Sequence, residues 1–229
     1  MNLQDILSSI EPLDEAAMAE ARERQAQLAK PPGSLGRLED LSIQVAGITG
    51  RLHNRMENKH LLVFAADNGV VADGVYSAPQ SVTLMQTINL SRHKTGASIL
   101  CRHFGFGITV CDVGVNADIR EPKVLSRKIT YGTQNIAQGP AMTHEQVITA
   151  IRTGYDLARS TDADILGVGE MGISNTTTSS AVLSALLDVD VEAVTGRDGG
   201  ITDGAFVKKK PSSSRLWSLT ARTPMIRWM

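Results

Sequence analysis

The sequence has almost no surplus charge, only two cysteines and no long apolar run, and each lack closes off a class of function. With 23 Lys and Arg against 24 Asp and Glu, the formal net charge is -1. No overall positive field attracts a polyanion, so nucleic acid is not an expected partner. Two cysteines, Cys101 and Cys111, do not make a disulfide framework in a chain of 229 residues. No apolar stretch approaches the ~20 residues that span a bilayer, so a membrane is not expected either. The opening MNLQDILSSIEPLDEAA is acidic from Asp5 onward and lacks a basic leader. It does not read as a signal peptide, and the cytoplasm is the expected compartment. The five histidines, His53, His60, His93, His103 and His144, show no metal-ligand spacing. No Ser-His-Asp or Cys-His grouping stands out, and neither a metal nor a cofactor is expected. What is present, 42% hydrophobic and 21% charged residues, suffices for one large core or a core with a small satellite, acting on small ligands.

Short apolar runs that end in glycine or an acid alternate with longer amphipathic stretches, the pattern of parallel strands joined by crossover helices. The expected class is therefore α/β, a mostly parallel sheet flanked by helices. The strands are read at His60 to Ala66, ending on Asp67-Asn68-Gly69, at Gly107 to Gly114, and at Asp164 to Gly169, ending on Glu170. Helices are read at Val82 to Leu90, Gly96 to Phe104 and His144 to Ser160. Ahead of these, Glu15 to Leu28 and Leu35 to Ile48 form a helical arm broken by Pro31-Pro32-Gly33-Ser34. This gives three expected parts: a helical arm over 1–50, an α/β domain over 51–210 and an atypical tail over 211–229. Ligands of open parallel sheets bind at the carboxyl ends of the strands. Asp67, Asn68, Asp112 and Glu170 are site candidates on that ground, although acids and Asn after strands also simply form turns and caps.

The most informative segment is Gly167-Val-Gly-Glu-Met-Gly-Ile-Ser-Asn-Thr-Thr-Thr-Ser-Ser180, which leaves a strand, crosses a glycine-rich turn and enters an apolar helix read at Ala181 to Leu187. Unpaired N–H groups, the positive helix end, close-approaching glycines and several hydroxyls together make an anion site, with a phosphate near Gly172 to Thr177. The plain alternative is a helix start supplied with ordinary capping residues. A second glycine-rich turn, Thr195 to Asp203, follows a short apolar run at Val191 to Val194 and precedes Lys208-Lys209-Lys210. It reads as another strand-end loop with a cation nearby, against the alternative of a solvated lysine run. A third segment, Asp67 to Gln86, could wall a pocket for a flat apolar ring. There Tyr76, Leu84 and Met85 offer apolar surface and Ser81 and Gln86 oriented polar contacts, with Leu84 and Met85 individually expected in the core.

Taken in order with Lys30-Pro-Pro-Gly-Ser-Leu-Gly-Arg-Leu38, with Ala65-Ala-Asp-Asn-Gly-Val71, Asp112-Val-Gly114 and Gly132 to Met142 (GTQNIAQGPAM), these loops resemble the nicotinate-nucleotide:dimethylbenzimidazole phosphoribosyltransferase family. The resemblance covers roughly residues 3 to 210. It implies a Rossmann-like α/β domain with a small helical domain, working as a homodimer. It also implies transfer of phosphoribose from nicotinate mononucleotide to 5,6-dimethylbenzimidazole, giving α-ribazole 5′-phosphate and nicotinate. On the same resemblance the phosphate-binding loop falls on Gly172, Ser174, Asn175 and Thr176, the acid beside the base on Glu170, and the site lysine on Lys209 or its neighbour Lys208. The benzimidazole-contacting glutamine falls on Gln86, and Ala78 stands where the family has a contact serine, which leaves Ser77 or Ser81 as its substitute; Met85 and Gly196 are further expected substrate contacts.

The family's general base is a glutamate in a Gly-Glu-Gly-rich segment near the C-terminus, and no residue here matches it. Residues 211 to 229 contain no Asp or Glu, three Arg, four Ser and both tryptophans, Trp217 and Trp228. This change of character after Lys210 suggests a frame change or early end, and hence a chain with little or no turnover. A non-catalytic binding module for the nucleotide or the benzimidazole, or a fragment without function, is the rival expectation.

Overall fold

The computed structural model describes residues 3–196. The chain divides into two compact units, the first ending at Glu57 and the second beginning at Asn58.

The first unit is helical: α1 is Leu3–Ser8, α2 is Glu15–Gln27 and α3 is Arg37–Thr49. Asp14 starts α2 by accepting from the Ala17 amide at 3.0 Å, while its own amide donates to the Gly47 carbonyl at 2.9 Å. Helix packing is close at that point, because a Cβ on Gly47 would lie 2.7 Å from Met18. α2 stops at Leu28, whose backbone is extended ahead of the Lys30-Pro31-Pro32 run that cannot continue a helix. Lys30 and Glu39 close that loop with an ion pair of 2.7 Å, and Glu39 also accepts from the Leu35 amide at 3.1 Å. The Lys30 hydrogen bond, with the Leu35 amide second, holds the Glu39 carboxyl below its ordinary range.

The second unit is built on four parallel strands in the order β3-β2-β1-β4, where β1 is Lys59–Ala66, β2 Phe106–Gly114, β3 Val124–Ser126 and β4 Ile165–Met171. Between β1 and β2 lie a 3-10 turn at Gly69–Asp73 and helices α4 (Ser81–Ser91) and α5 (Gly96–His103). α6 (His144–Ser160) leads into β4, and α7 (Asn175–Leu187) and α8 (Val191–Val194) follow it. The fold is thus a Rossmann-like parallel sheet flanked by helices. α6 begins at His144, as its apolar spacing indicates, because Thr143 and Gln146 form a reciprocal capping box. Val63, Leu90, Val110 and Val124 make the core between the sheet and α4, and Val70, Val75, Ile136, Ala137 and Ala181 make a second cluster. Cys101 and Cys111 are both free and buried.

Several sequence expectations need correction. Val191–Val194 is a helical turn and not a strand: the Asp190 carboxylate accepts from the Glu192 amide at 2.8 Å, Val191 is buried, and the Thr195 hydroxyl donates to the Val191 carbonyl at 2.6 Å. Thr195 to Asp203 is therefore not a strand-end loop at its described beginning. α7 starts at Asn175, six residues earlier than the apolar run indicates. Its hydroxyl-rich first turns are held by neighbours, with Ser180 donating to the Val194 carbonyl at 2.9 Å. β4 continues through Glu170, so that side chain sits within the strand end and not after it. Met85 is half exposed and not a core residue, because α4 turns Thr83, Thr87 and Leu90 inward instead. Residues Lys208 to Lys210, including Lys209, and the tail 211–229 lie outside the described residues.

Candidate functional site

Register places the candidates on one edge of the sheet. Asp112 stands opposite Ala65 of β1, and Glu170 opposite Phe64, so the ends of three neighbouring parallel strands meet beside Asp67 and Asn68. Asn68 ties this edge together. Its Nδ2 donates to the Ile173 carbonyl at 3.0 Å, and its Oδ1 accepts from the Thr178 hydroxyl at 3.0 Å. One side chain thereby grips both the glycine-rich turn and the first turn of α7. The turn is fixed from α4 as well, because the Ile173 amide donates to Oγ1 of buried Thr83 at 3.1 Å.

Gly172 has to be glycine, since a Cβ there would run into the Ala66 carbonyl oxygen and lie 2.9 Å from Asn68 Nδ2. Ser174 adopts a left-handed backbone (φ 69°), and its hydroxyl donates to the Val75 carbonyl at 2.9 Å. That hydroxyl proton holds the chain just after the 3-10 segment. The amides of Asn175, Thr177 and Thr178 donate to Gly172 and Ser174 carbonyls at 3.2, 3.1 and 3.4 Å. These bonds are at the long end of the amide range, and a phosphate seated on this turn has to displace some of them. Thr176 is half-buried, as is Gly196, the last described residue.

Asn175 Nδ2 donates a short hydrogen bond to Glu170 Oε1. Withdrawal from water at the strand end pushes the Glu170 carboxyl above its ordinary range, and the Asn175 amide opposes the shift. Asn175→Ala should therefore raise the Glu170 pKa further, as read by carboxyl-carbon NMR titration; an unchanged or lower value would contradict the pairing. The linkage has a definite sign. A carboxyl that binds its proton more tightly when folded loses stability as pH rises from the unfolded pKa through the folded one, and Glu170→Gln should flatten that part of the stability profile.

The other acids at the edge are buried and bonded within the fold, except that Asp67 Oδ1 has no hydrogen-bond partner among the described residues. Asp67 is 2% exposed; its Oδ2 accepts from the Asn116 amide at 2.8 Å. Asp112 accepts from the Gly114 and Val115 amides at 3.1 and 2.9 Å and pairs with Lys128 at 2.8 Å. Lys128 also donates to the Val115 and Ala117 carbonyls and lies 4.7 Å from the Tyr131 ring centroid.

Of the proposed ring-pocket residues, Ser81, Leu84, Met85 and Gln86 share α4, while exposed Tyr76 lies in the loop ahead of it. Ser81 and Met85 are exposed and Gln86 is half-buried, on the helix whose Thr83 holds the Ile173 amide. Thr83 is not among the residues that sequence reasoning singles out, although its place four residues before Thr87, on the face that Leu90 also turns inward, is the signal that marks it. A cavity of about 440 Å³ opens elsewhere, lined by Thr130, Gly132, Gln134, Met142, His144 and Gln146 among others, and by none of the expected site residues. Its wall is the Gly132 to Met142 segment, anchored to the strand ends by the Gly132 amide on Gly114 and the Thr133 amide on Asp67, at 2.9 and 3.0 Å. Among the described residues, no three His, Cys, Asp or Glu side chains cluster as metal ligands would.

Comparison with known proteins adds independent findings. A family model described as “Phosphoribosyltransferase” matches residues 10–218. The nicotinate-nucleotide–dimethylbenzimidazole phosphoribosyltransferase of Clostridium perfringens is 45% identical over 211 residues, spanning 91% of this chain and 58% of its own length. The protein of that name from Chloroflexus aurantiacus is 44% identical, over 90% of this chain and 60% of its own. Among solved structures, the enzyme so named from Thermus thermophilus superposes with a TM-score of 0.84 at 36% identity, covering 92% of this chain and 63% of that one. The chain thus spans about three-fifths of the length of the relatives it matches.

Proposed function

The chain belongs to this phosphoribosyltransferase family, and from that premise we propose that its strand-end site serves phosphoribosyl transfer from nicotinate mononucleotide to 5,6-dimethylbenzimidazole. The observation that carries the reading is the turn from Gly172 to Thr178. It is clamped by Asn68 and Thr83 at the carboxyl edge of a parallel sheet, where such folds hold phosphorylated ligands. In this reading the 5′-phosphate meets the α7 N-terminus at Gly172, Ser174, Asn175 and Thr176, and exchanges for the long main-chain bonds there. A ring nitrogen of the benzimidazole attacks C1′ as the bond to nicotinate breaks, and positive charge gathers on the ribose. Glu170, which accepts from Asn175 at the strand end, stands as the acid beside that charge. Ser81, Met85 and Gln86 on α4 receive the ring and Gly196 contributes a contact; the lysine that the family resemblance assigns to the site, Lys209, lies outside the described residues.

The proton leaving the attacking ring needs a base, and the glutamate that the family resemblance calls for has no counterpart among these 229 residues. Binding without efficient turnover is therefore the expected behaviour of this chain alone. Incubation with both substrates should give at most traces of α-ribazole 5′-phosphate by chromatography, while calorimetry detects nicotinate mononucleotide binding. Turnover at the rate of a full-length relative would overturn the assignment of the base, and absence of any binding would overturn the site itself. The proposed working unit is a homodimer in the cytoplasm. No helix among the described residues is long and apolar enough to cross a membrane.

A further inference from the structure

The cavity of about 440 Å³ at residues 130–146 has no part in the proposed transfer. Both of its walls come from this one continuous stretch, and both are fixed from within the fold. The first wall bears on β1 and the 3-10 turn as well as on β2. The Gly69 amide donates to Thr133 Oγ1 at 3.1 Å, and Asn135 Nδ2 donates to Asp73 Oδ1 at 2.9 Å. The Gln134 amide closes the loop on the Ala141 carbonyl at 2.9 Å, while Ile136 and Ala137 are buried in one cluster with Val70 and Val75. The second wall is the start of α6, where the Thr143 amide donates to Gln146 Oε1 at 2.8 Å and the Gln146 amide to Thr143 Oγ1 at 3.2 Å. Walls that stand without a ligand cost little further ordering when one enters.

The lining has a definite chemistry. Pro140, Ala141 and Met142 supply apolar surface. The side chains of Thr130, Gln134 and His144 make no hydrogen bond among the described residues, so a hydroxyl, a carboxamide and an imidazole are open to a ligand. Among the described residues no Lys, Arg, Asp or Glu lines the cavity. The capping box takes up the Gln146 amide, one of the donors that would otherwise draw an anion to the start of α6. Small-molecule sites take this form, a few hundred Å³ of apolar wall with a few convergent polar groups. We propose that the cavity is a second ligand site, for an uncharged flat heteroaromatic molecule whose edge carries both a hydrogen-bond donor and an acceptor, as a carboxamide does. The ring lies against Pro140 and Met142, and the Gln134 carboxamide pairs with the polar edge. A phosphorylated ligand meets no lysine or arginine here, which separates this site from the turn at 172–178. The inference does not rest on the proposed phosphoribosyl transfer, and loss of nucleotide binding at that turn leaves it standing.

Nicotinamide and nicotinate share a ring and differ in charge. Each is titrated into the 229-residue chain at about pH 8, so that imidazole charge does not enter, and amide shifts are followed residue by residue by NMR. Nicotinamide should shift residues 130–146 saturably and spare 81–86 and 172–178. Nicotinate should bind about tenfold more weakly or worse, because nothing in the lining offsets the withdrawal of its carboxylate from water. Gln134→Ala should weaken nicotinamide by about five- to tenfold, the worth of one hydrogen bond. Its melting should match the parent's, since that side chain is exposed and bonds to nothing described in the fold. Absence of saturable shifts would overturn the proposal. So would equal affinity for the two compounds, shifts centred on 81–86 or 172–178, or undiminished binding in Gln134→Ala.

Discussion

Lys128→Met should destabilise the fold by about 3–5 kcal/mol, the cost of leaving a buried charge without its partner. Asp112 is 1% exposed and depends on Lys128 at 2.8 Å for its second oxygen. The loss also frees the Val115 and Ala117 carbonyls that Lys128 ties to the strand end. Asp112→Asn in the same chain should recover much of the loss, because the amide oxygen can still accept from Gly114 and Val115 while the charge is gone. Denaturant unfolding of the two single variants and the double variant measures this coupling. Additive losses would show that the pair is not the interaction described.

Gly172→Ala carries the second large effect, about 1–3 kcal/mol or more from overpacking, since the new methyl meets main-chain oxygen that cannot swing away. The same substitution should weaken nicotinate mononucleotide binding by pushing the turn off Asn68. Gly69→Ala is the control at the neighbouring strand. Its Cβ would lie 2.5 Å from the Thr133 carbonyl oxygen, so it should destabilise comparably while acting on the 132–142 segment and not on the turn. A Gly172→Ala protein that melts like the parent would mean that the turn does not press on β1 as closely as described.

These positions mark what sequence alone can and cannot convey. β1, β2, β4 and α4 to α6 are legible because each carries a periodic apolar run with a recognisable start, such as Thr143 paired with Gln146. β3 is not, since the three residues Val124–Ser126 are too few to show alternation and become a strand only by pairing with β2. Val191–Val194 looks the same as a short buried strand in composition. The Asp190 cap and the bonds to Ser180 and Thr195, all tertiary or backbone features, make it helical. The early start of α7 is hidden because Asn, Thr and Ser are poor helix formers, and here the surroundings override propensity.

The same limit governs the site. Glu170, Asn175 and Gly172 are legible as a cluster, being close in sequence, and Asn68 is reached by its place after β1. That Asn68 grips Ile173 and Thr178, more than a hundred residues away, follows only from the register of β1 against β4. Ser174 carries a bond that sequence does not reveal: its hydroxyl donates to the Val75 carbonyl, 99 residues away.

The most direct measurement is amide exchange of the chain, residue by residue, during titration with nicotinate mononucleotide. Slowed exchange centred on 172–178, lost in Asn68→Ala, is the expected result. Saturable binding that instead protects 130–146 and leaves 172–178 untouched would contradict it, and would move the nucleotide from the strand-end turn to the neighbouring cavity.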